Sequence, residues 1–409
     1  MTTSRESPGR RLMARIDEFA AFTDEPGKLT RLYLSDAHKR AVAQFIAWAQ
    51  AIGLDARLDA AGNVVARYEG RDAGAPALLI GSHIDTVRDA GRYDGNLGAL
   101  AALAVVEELA ERGERLDVAV EIVAFGDEEG VRFPKTLTGS RALAGLIEEG
   151  ALDQQDRDGV VMRDALQAFG GEPDRVGSER RQGIAGFVEV HIEQGPVLEA
   201  EGLPLGVVTA INGATRFDIS VSGAAGHAGT VPMSLRRDAL AAAAEMMLAI
   251  EARAGAEADL VATVGRIEAE PGAVNVIPGR VRFSLDVRAP RDEQRQRAVA
   301  DIAATLGAIA AQRGVAVQLV KTHEAGAYVC DPNVVAGLTA AVEAVGAKPR
   351  LLPSGAGHDT MIMGQLCPAG MLFVRCKGGV SHNPLESITL EDCEIALAAL
   401  TRFVRDFRA

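Results

Sequence analysis

A short apolar run that ends in His83 and Asp85 constrains the fold of this chain more than any other stretch. Residues 75–81 are apolar and bounded by Gly and Pro, which predicts a central strand that ends at His83. Open α/β sheets bind ligands at the carboxyl ends of their strands. His83, Asp85 and the nearby Asp94 therefore indicate half of a metal site. They could equally cap a strand end and form a surface turn.

Length and charge narrow the class of protein. A chain of 409 residues exceeds one ordinary hydrophobic core, which predicts two domains. The 43 Lys and Arg residues against 56 Asp and Glu residues give a net charge of -13, with no dense basic block. We therefore expect neither nucleic acid nor an anionic membrane as a partner.

The absence of targeting patterns and the spacing of the cysteines predict a cytoplasmic protein. No apolar stretch approaches the roughly 18 residues of a membrane span, and residues 1–6 lack the apolar core of a signal peptide. The cysteines form no C-x-x-C pair, so we expect buried packing rather than disulfides or a zinc ribbon. They are Cys330, Cys367, Cys376 and Cys393.

Two further apolar runs also end in polar side chains. Residues 118–125 predict a strand covered on both faces, and Glu128 and Glu129 follow it directly. Adjacent glutamates point in different directions, so one can bind a metal while the other faces a reacting water. The strand near residues 186–192 carries His191 and leads into Gln194. An isolated acidic pair is otherwise more often a solvated turn.

The order of predicted elements indicates an α/β fold with a discontinuous catalytic domain, a mixed sheet flanked by helices. Residues 214–324 read β-α-β-β-α-β, the order of a ferredoxin-like split βαβ sandwich, and predict a second domain inserted into the first. Residues 1–213 and 325–409 then form the catalytic domain. We expect residues 148–181 to form a covering segment rather than a domain, and the start of the chain to be frayed. His38 lies on a polar helix start, so we expect its side chain to be solvated.

The polar residues that follow these strands form one candidate constellation. His382 lies in a loop rich in Gly, Ser and Pro after a buried strand, where a lone histidine has no function more often than not. Histidine together with carboxylates suits zinc, and manganese or cobalt would also fit. The members are His83, Asp94, Glu128, Glu129, His191 and His382.

Eight motifs carry a resemblance to a known family. They resemble, in this order, the amidase and hydantoinase/carbamoylase branch of the M20 metallopeptidase-like superfamily. That branch includes allantoate amidohydrolases, N-carbamoyl-L-amino-acid hydrolases and β-ureidopropionases. The motifs are His-x-Asp, Tyr-Asp-Gly, Glu-Glu-Gly-x-Arg-Phe, His-Ile-Glu-Gln-Gly-Pro, Gly-His-Ala-Gly-Thr-x-Pro-Met, Asn-Val-Ile-Pro-Gly, Ser-Gly-Ala-Gly-His-Asp and Ser-His-Asn-Pro-x-Glu.

The resemblance implies two divalent ions per subunit. It places His83 and His191 on one ion and Glu129 and His382 on the other, with Asp94 bridging them. It also implies that Asp85 orients His83 and that Glu128 is the general base. This chemistry is reasonable because a metal-bridging water has a pKa lowered toward about 7, so that a carboxylate can take its proton.

The resemblance also implies how a substrate is held. His227 would meet the charge that develops on the carbonyl oxygen, and Arg288 would bind a substrate carboxylate. Asn275, Gln194 and His358 would line the same pocket. The inserted domain would act as a lid and as the surface of a homodimer. The chain departs from relatives at Gly226, where many have Asn, which affects the local geometry beside His227. It also has Ala214-Thr215 where some relatives have Gln-Arg, so we expect its substrate preference to differ from theirs.

Within this branch, local motifs most resemble those of allantoate amidohydrolases. The resemblance implies allantoate as substrate, with release of ureidoglycine, ammonia and carbon dioxide, a reaction of purine breakdown. The nearest alternative is an N-carbamoyl-L-amino-acid hydrolase or β-ureidopropionase, which would use the same ions and base. A peptidase of the wider superfamily is less favoured because peptidases usually carry an acidic residue where His191 stands. A binding protein without metal is less favoured because all expected ligands and the base are present.

Overall fold

A computed structural model describes residues 6–178 and 180–409. The first five residues, where we predicted a frayed end, lie outside the described part of the chain. The strands in that part are β1 (Asp55–Leu58), β2 (Val64–Tyr68), β3 (Ala77–His83), β4 (Ala119–Phe125), β5 (Ile184–Ile192), β6 (Leu205–Ile211), β7 (Gly213–Ser222), β8 (Gly226–His227), β9 (Val261–Thr263), β10 (Ile267–Glu270), β11 (Val276–Ile277), β12 (Arg280–Ala289), β13 (Ala316–Ala325), β14 (Tyr328–Val329), β15 (Leu351–Ser354) and β16 (Ala369–Val374).

The α-helices surround and connect these strands. Over the same described residues they are α1 (Pro8–Phe19), α2 (Asp36–Ala51), α3 (Asn96–Glu111), α4 (Thr138–Ala144), α5 (Met162–Phe169), α6 (Val197–Glu201), α7 (Ala239–Gly255), α8 (Asp292–Arg313), α9 (Pro332–Ala344), α10 (Thr360–Met363) and α11 (Leu390–Asp406). Within the described ranges, no helix is long and apolar enough to cross a membrane.

The larger sheet is mixed, which confirms the predicted fold class. Its order is β1-β2-β4-β3-β5-β16-β6-β14, and β15 also pairs with β6. Four central strands run parallel to one another, in the order β4, β3, β5 and β16. On either side, β2 pairs with β4 and β6 pairs with β16 in the antiparallel direction. The carboxyl ends of the four parallel strands therefore meet at one edge of the sheet.

Burial explains why these strands have continuous apolar sequences. Every residue of β3 and of β4 is buried, because helices cover the sheet. A strand covered on both faces has no solvent side on which polar residues would alternate. Helix α3 is rich in Ala and Leu and is buried around most of its circumference, so it lies inside the fold. The apolar core here fixes the strand ends that carry the candidate site.

The chain divides into two compact units. The first contains the residues up to Thr209 together with Cys330–Leu352 and Gly357–Ala409, and the second contains Ala210–Val329 and Pro353–Ala356. The predicted boundaries at residues 214 and 324 fall inside this second unit. Pro353–Ala356, which the sequence assigned to the catalytic domain, belongs instead to the second unit.

The second unit contains an antiparallel sheet with one helix-covered face. Its order is β10-β12-β7-β13, with β9 also paired to β12. The second strand of the predicted β-α-β-β-α-β order is broken into β9 and β10. Buried residues of α7 and α8 pack against the sheet in a separate hydrophobic core. A short ribbon pairs β8 with β11. The strand order is that of a split βαβ sandwich.

His38 is buried, so the prediction of a solvated side chain was wrong. Its Nδ1 accepts the backbone N–H of Leu34 at 3.0 Å, and its ring stacks on Phe169 with centroids 4.9 Å apart. Phe169 ends α5, a helix inside residues 148–181, which we predicted to be a covering segment. The error arose because Asp36, Lys39 and Arg40 suggested a surface, whereas His38 lies on the buried face of α2.

Candidate active site

The parallel strands bring the predicted metal ligands to one edge of the larger sheet. His83 is the last residue of β3, and His191 is the penultimate residue of β5. Glu128 and Glu129 follow β4, and His382 follows β16 after a short 3-10 turn. The residues come from distant parts of the sequence, but the sheet topology gives them a common location, as expected for an α/β fold.

The first group of ligand atoms surrounds one oxygen of Asp94. Nε2 of His83 lies 3.3 Å from Asp94 Oδ1, and Nε2 of His191 lies 3.0 Å from the same oxygen. The two Nε2 atoms are 3.4 Å apart. The Nδ1 atoms face backbone carbonyl oxygens, that of Asp85 at 3.0 Å and that of Ile192 at 2.9 Å. A neutral ring that donates from Nδ1 directs the lone pair of its Nε2 atom toward Asp94, and nitrogen and carboxylate oxygen atoms arranged in this way suit a cation.

The second group uses the other oxygen of the same carboxylate. His382 Nε2 lies 3.3 Å from Asp94 Oδ2 and 3.6 Å from Glu129 Oε2. Glu129 Oε1 is buried without a hydrogen-bond partner in the described residues. A buried carboxylate oxygen without a donor is costly unless a cation binds it. Asp94 therefore belongs to both groups, through a different oxygen in each, and these residues fit two divalent ions.

Asp85 contacts the two glutamates rather than the ring of His83. Its Oδ1 and Oδ2 accept the backbone N–H groups of Glu128 at 3.1 Å and Glu129 at 3.2 Å. Its carboxylate stays 3.8 Å from His83 Nδ1, which instead contacts the Asp85 carbonyl oxygen. Asp127, which precedes the pair, has a left-handed φ of 68°. The carboxylate thus holds an unusual turn, and only the main chain of Asp85 orients His83.

The electrostatics of the site reflect crowded carboxylates. Burial raises the pKa of Glu128 well above its usual value, and burial together with Asp94 raises that of Glu129 to about 7. Burial also acts to raise the pKa of Asp94, but its contacts with His191, His382 and His83 hold it well below its usual range. The contact with Asp94 raises the pKa of His382 to about 9. Positive charge is what this cluster lacks, and divalent ions supply it.

Glu128 stands beside these ligands. Its carboxylate, His83 and Glu129 form one group whose ligand atoms lie within 4.8 Å of one another. The side chain is only partly buried, unlike those of His83 and Asp94. Glu128 is thus close enough to the ligands to exchange a proton with a molecule bound there.

Gln194 contacts Asp94 in this structure. Its Nε2 lies 2.9 Å from Asp94 Oδ2 and 2.9 Å from Ser381 Oγ, and Ser381 Oγ lies 2.9 Å from the same carboxylate oxygen. The resemblance implied a substrate contact for Gln194 and no role for Ser381. Gln194 and His382 both have left-handed φ angles, of 56° and 55°. Strained backbone of this kind concentrates at functional sites.

His358 lies behind His191. The two ring centroids are 4.6 Å apart in an edge-to-face arrangement, and His358 is 1% exposed. Burial lowers the pKa of His358 well below its usual value, so its ring is neutral. Glu189, also buried, completes a group of ligand-type side chains with His191 and His358. His358 therefore packs against a candidate ligand and does not face open solvent.

The second unit brings two of the predicted substrate residues together. His227 of β8 pairs in register with Val276 of β11, directly after Asn275. The backbone N–H of Ala228 donates to the Asn275 carbonyl at 2.9 Å. Both His227 and Asn275 are exposed. The ribbon thus presents an imidazole and an amide side by side to solvent.

Arg288 lines a cleft of about 680 Å³ in the second unit. It binds Asp286 through two N–H groups, at 3.0 and 2.9 Å, and donates from Nη1 to the Gly355 carbonyl at 2.8 Å. Arg216 also donates to Asp286, at 2.9 Å. The sequence did not indicate that a carboxylate holds Arg288. The pairing could nevertheless have been inferred from the sequence, because Asp286 and Arg288 are two residues apart on one strand and so share a face.

Known proteins resemble this chain over nearly its whole length. Residues 79–406 match the model of peptidase family M20/M25/M40. Allantoate deiminase 2 of Glycine max is 39% identical over 428 residues, which cover 96% of this chain and 88% of that protein. The N-carbamoyl-L-amino acid amidohydrolase of Geobacillus stearothermophilus is 40% identical over 395 residues, 96% of this chain and 97% of that protein.

Solved structures agree with these sequence matches. A hydantoinase/carbamoylase family amidase from Burkholderia multivorans superposes with a TM-score of 0.92 at 35% identity, over 97% of this chain and 96% of that chain. Both the sequence and the fold therefore match over nearly the whole chain. The chain belongs to peptidase family M20/M25/M40, the superfamily that its eight motifs predicted.

Proposed function

We propose that this protein is a metal-dependent amidohydrolase that cleaves a ureido C–N bond of allantoate, giving ureidoglycine, ammonia and carbon dioxide. The observation that carries the proposal is the shared carboxylate of Asp94, with Oδ1 beside His83 and His191 and Oδ2 beside His382. The names of relatives that are 39% and 40% identical support a ureido acid as substrate.

The donor set is suited to two divalent ions, with zinc or manganese preferred and cobalt also compatible. His83, His191 and Asp94 would hold one ion, and Glu129, His382 and Asp94 the other. Such ions, when bound, polarise a carbonyl and lower the pKa of water. The protein's own contribution is to fix the ligands, through the carbonyl contacts of the two histidines and the backbone contacts of the glutamates.

Glu128 would move the proton. Its carboxylate takes a proton from the attacking water and returns it to the departing nitrogen, so that ammonia rather than an amide anion leaves. Asp85 holds the main chain that carries this side chain, through the backbone N–H of Glu128. The partly exposed position leaves Glu128 access to a bound substrate.

The second unit would supply the substrate contacts. His227 would donate to the carbonyl oxygen on which negative charge develops, with Asn275 beside it. Arg288 uses three of its five N–H groups on Asp286 and Gly355, which leaves two for a substrate carboxylate. His358 would act indirectly, by packing against His191.

An N-carbamoyl-L-amino-acid hydrolase is the second candidate, because a relative with that name is 40% identical over 97% of its own length. Both substrates carry a ureido group and a carboxylate, so the proposed contacts serve either. Ammonia release should be measured from allantoate, N-carbamoyl-L-amino acids and N-carbamoyl-β-alanine with manganese, zinc or cobalt. A tenfold advantage in kcat/KM for allantoate, about 1.4 kcal/mol of discrimination, supports the proposal. The same advantage for a carbamoyl amino acid would identify that compound as the substrate and leave the proposed metal chemistry unchanged.

We further propose a homodimer formed through the second unit. Exposed apolar side chains of that unit, Met233 at 78% and Val274 at 104% exposure, favour a partner on this surface. Light scattering at working concentration should give twice the mass of the 42.9 kDa chain. A mass of one chain would contradict the dimer.

A further inference from the structure

We propose that Glu386 is a positioning residue that fixes the bridging carboxylate of Asp94. Its Oε1 accepts two successive backbone N–H groups, that of Tyr93 at 2.7 Å and that of Asp94 at 3.0 Å. Glu386 is 3% exposed, so these charge-assisted hydrogen bonds form away from solvent. The main chain that carries Asp94 is therefore held by a side chain from the opposite end of the sequence.

The carboxylate of Asp94 is held by side chains that lie beside Glu386. Ser381 Oγ lies 2.9 Å from Asp94 Oδ2 and 3.3 Å from Oε2 of Glu386. A hydroxyl has one proton, and the shorter contact assigns it to Asp94. Gln194 Nε2 completes the set with 2.9 Å contacts to both Ser381 and Asp94. Both the backbone and the side chain of Asp94 are thus constrained.

Two glycines make room for this arrangement. A Cβ atom at Gly91 would overlap the side chain of Glu386, and a Cβ atom at Gly95 would overlap the ring of His83. Gly95 also has a left-handed φ of 63°, and its N–H donates to His191 Nε2 at 3.2 Å. The turn between these glycines is therefore packed between Glu386 on one side and the histidines on the other.

The geometry explains why Asp94 needs this support. A carboxylate that bridges two ions must direct each oxygen to a different ligand group, and a small rotation would favour one group over the other. Asp94 and its neighbours form a tight turn before α3 whose N-terminal residue Gly95 makes no side-chain cap. Glu386 accepts the N–H groups of the two residues that lead into this turn, Tyr93 and Asp94. This inference rests on the proposed metal centre, but it does not depend on which ureido acid is the substrate.

Metal affinity tests the inference separately from catalysis. The full-length protein and its variants should be equilibrated against buffered free Zn²⁺ or Co²⁺, and bound metal and the cobalt absorption spectrum should be recorded. Glu386→Ala should weaken binding about 10- to 100-fold, the usual effect of losing a group that orients a ligand. Glu386→Gln keeps an oxygen for the two N–H groups and should stay within about threefold of the original protein on the same scale.

Asp392→Ala is the matched control. Asp392 is also a buried carboxylate, on α11, but it binds Arg375 at 2.8 and 3.1 Å and does not contact the site. This variant should lose stability and keep its metal affinity. Gly91→Ala displaces the Glu386 side chain without removing it, and should weaken metal binding as Glu386→Ala does.

The outcomes separate the two proposals. If the unaltered protein binds no divalent metal, the proposed metal centre fails. If it binds metal, and Glu386→Ala has the same metal affinity and cobalt spectrum as the unaltered protein, the positioning role is overturned. Should Glu386→Ala not fold, the same result in Gly91→Ala overturns the role. An equal loss of metal affinity in Asp392→Ala would show that the effect of Glu386→Ala is general destabilisation. A loss of metal affinity in Glu386→Gln as large as in Glu386→Ala would overturn the role of the accepting oxygen.

Discussion

The Oδ1 atom of Asp85 accepts a hydrogen bond from the backbone N–H of Glu128 at 3.1 Å. Because Oδ2 binds the next N–H, that of Glu129, one carboxylate spans both residues of the acidic pair. The proposed base and a proposed ligand therefore share a single support. His83 depends on the main chain of Asp85 and not on this carboxylate.

Asp85→Asn should separate these two functions. The amide keeps one acceptor but turns an NH₂ group toward a backbone N–H, so the acidic pair shifts. We expect kcat to fall by about 100-fold, because small displacements of catalytic groups have effects of this size. Metal content in excess zinc should remain, since the carbonyl of residue 85 still orients His83. Loss of the metal at unchanged folding would contradict this assignment and favour a direct role of the carboxylate at His83.

Glu128→Gln tests the proton transfer itself. Glutamine has nearly the same shape but cannot take a proton, so turnover should fall by about 10²- to 10⁴-fold. The metal content, measured by elemental analysis, should stay the same because Glu128 is not among the proposed ligands. Glu148→Gln, an exposed position that pairs with Lys135, is the control and should keep full activity. Near-normal turnover in Glu128→Gln would exclude Glu128 as the base.

The sequence predicted the residues of the site better than their contacts. Buried strands are recognisable from continuous apolar runs, and β3 ends at His83 as predicted. Parallel strands then place their carboxyl ends together, so the approximate location of His191 and Glu129 follows from topology. The assignment of Asp85 to the ring of His83 could not be corrected from sequence, because the turn at Asp127 has a left-handed conformation that no local pattern indicates.

Long-range support was also invisible in the sequence. Glu386 and Ser381 belong to a recognised motif, but nothing near them indicates that they contact Asp94. His38 is a different case, because residues 37, 38, 41, 42, 45 and 49 form one buried helical face. Their spacing is a periodic signal. There the charged neighbours were weighted too heavily against the periodicity.

Arg288→Ala tests the carboxylate contact. Loss of a charge-assisted hydrogen bond costs about 1.5–3 kcal/mol, so KM for allantoate should rise by about 10- to 100-fold while kcat changes less. Arg253→Ala is the control, because Arg253 lies in the same unit and binds Asp301 and Glu257 instead. An unchanged KM in Arg288→Ala would place the substrate carboxylate elsewhere.

The lowered pKa of buried His38 should make the free energy of unfolding depend on pH. Burial, assisted by Arg31 and Arg132, lowers its pKa from 6.5 to about 3 in the folded protein. Between these values the unfolded chain binds a proton that the folded chain does not. The free energy of unfolding therefore loses up to about 1.4 kcal/mol per unit as the pH falls from 6.5 toward 3, and this contribution is fully present above pH 6.5.

Urea unfolding at several pH values between 4 and 8 checks this prediction through His38→Gln. The variant lacks the titrating ring, so its stability should fall less steeply with acid than that of the original protein, although it is less stable at pH 8 because the stacking on Phe169 is lost. Lys39→Gln, next to it on the exposed side of α2, should keep the original slope. Contributions of the site carboxylates occur in all three proteins and cancel in the comparison. Parallel curves for His38→Gln and the original protein would show that the pKa of His38 is the same in the folded and unfolded chains, and would contradict this prediction.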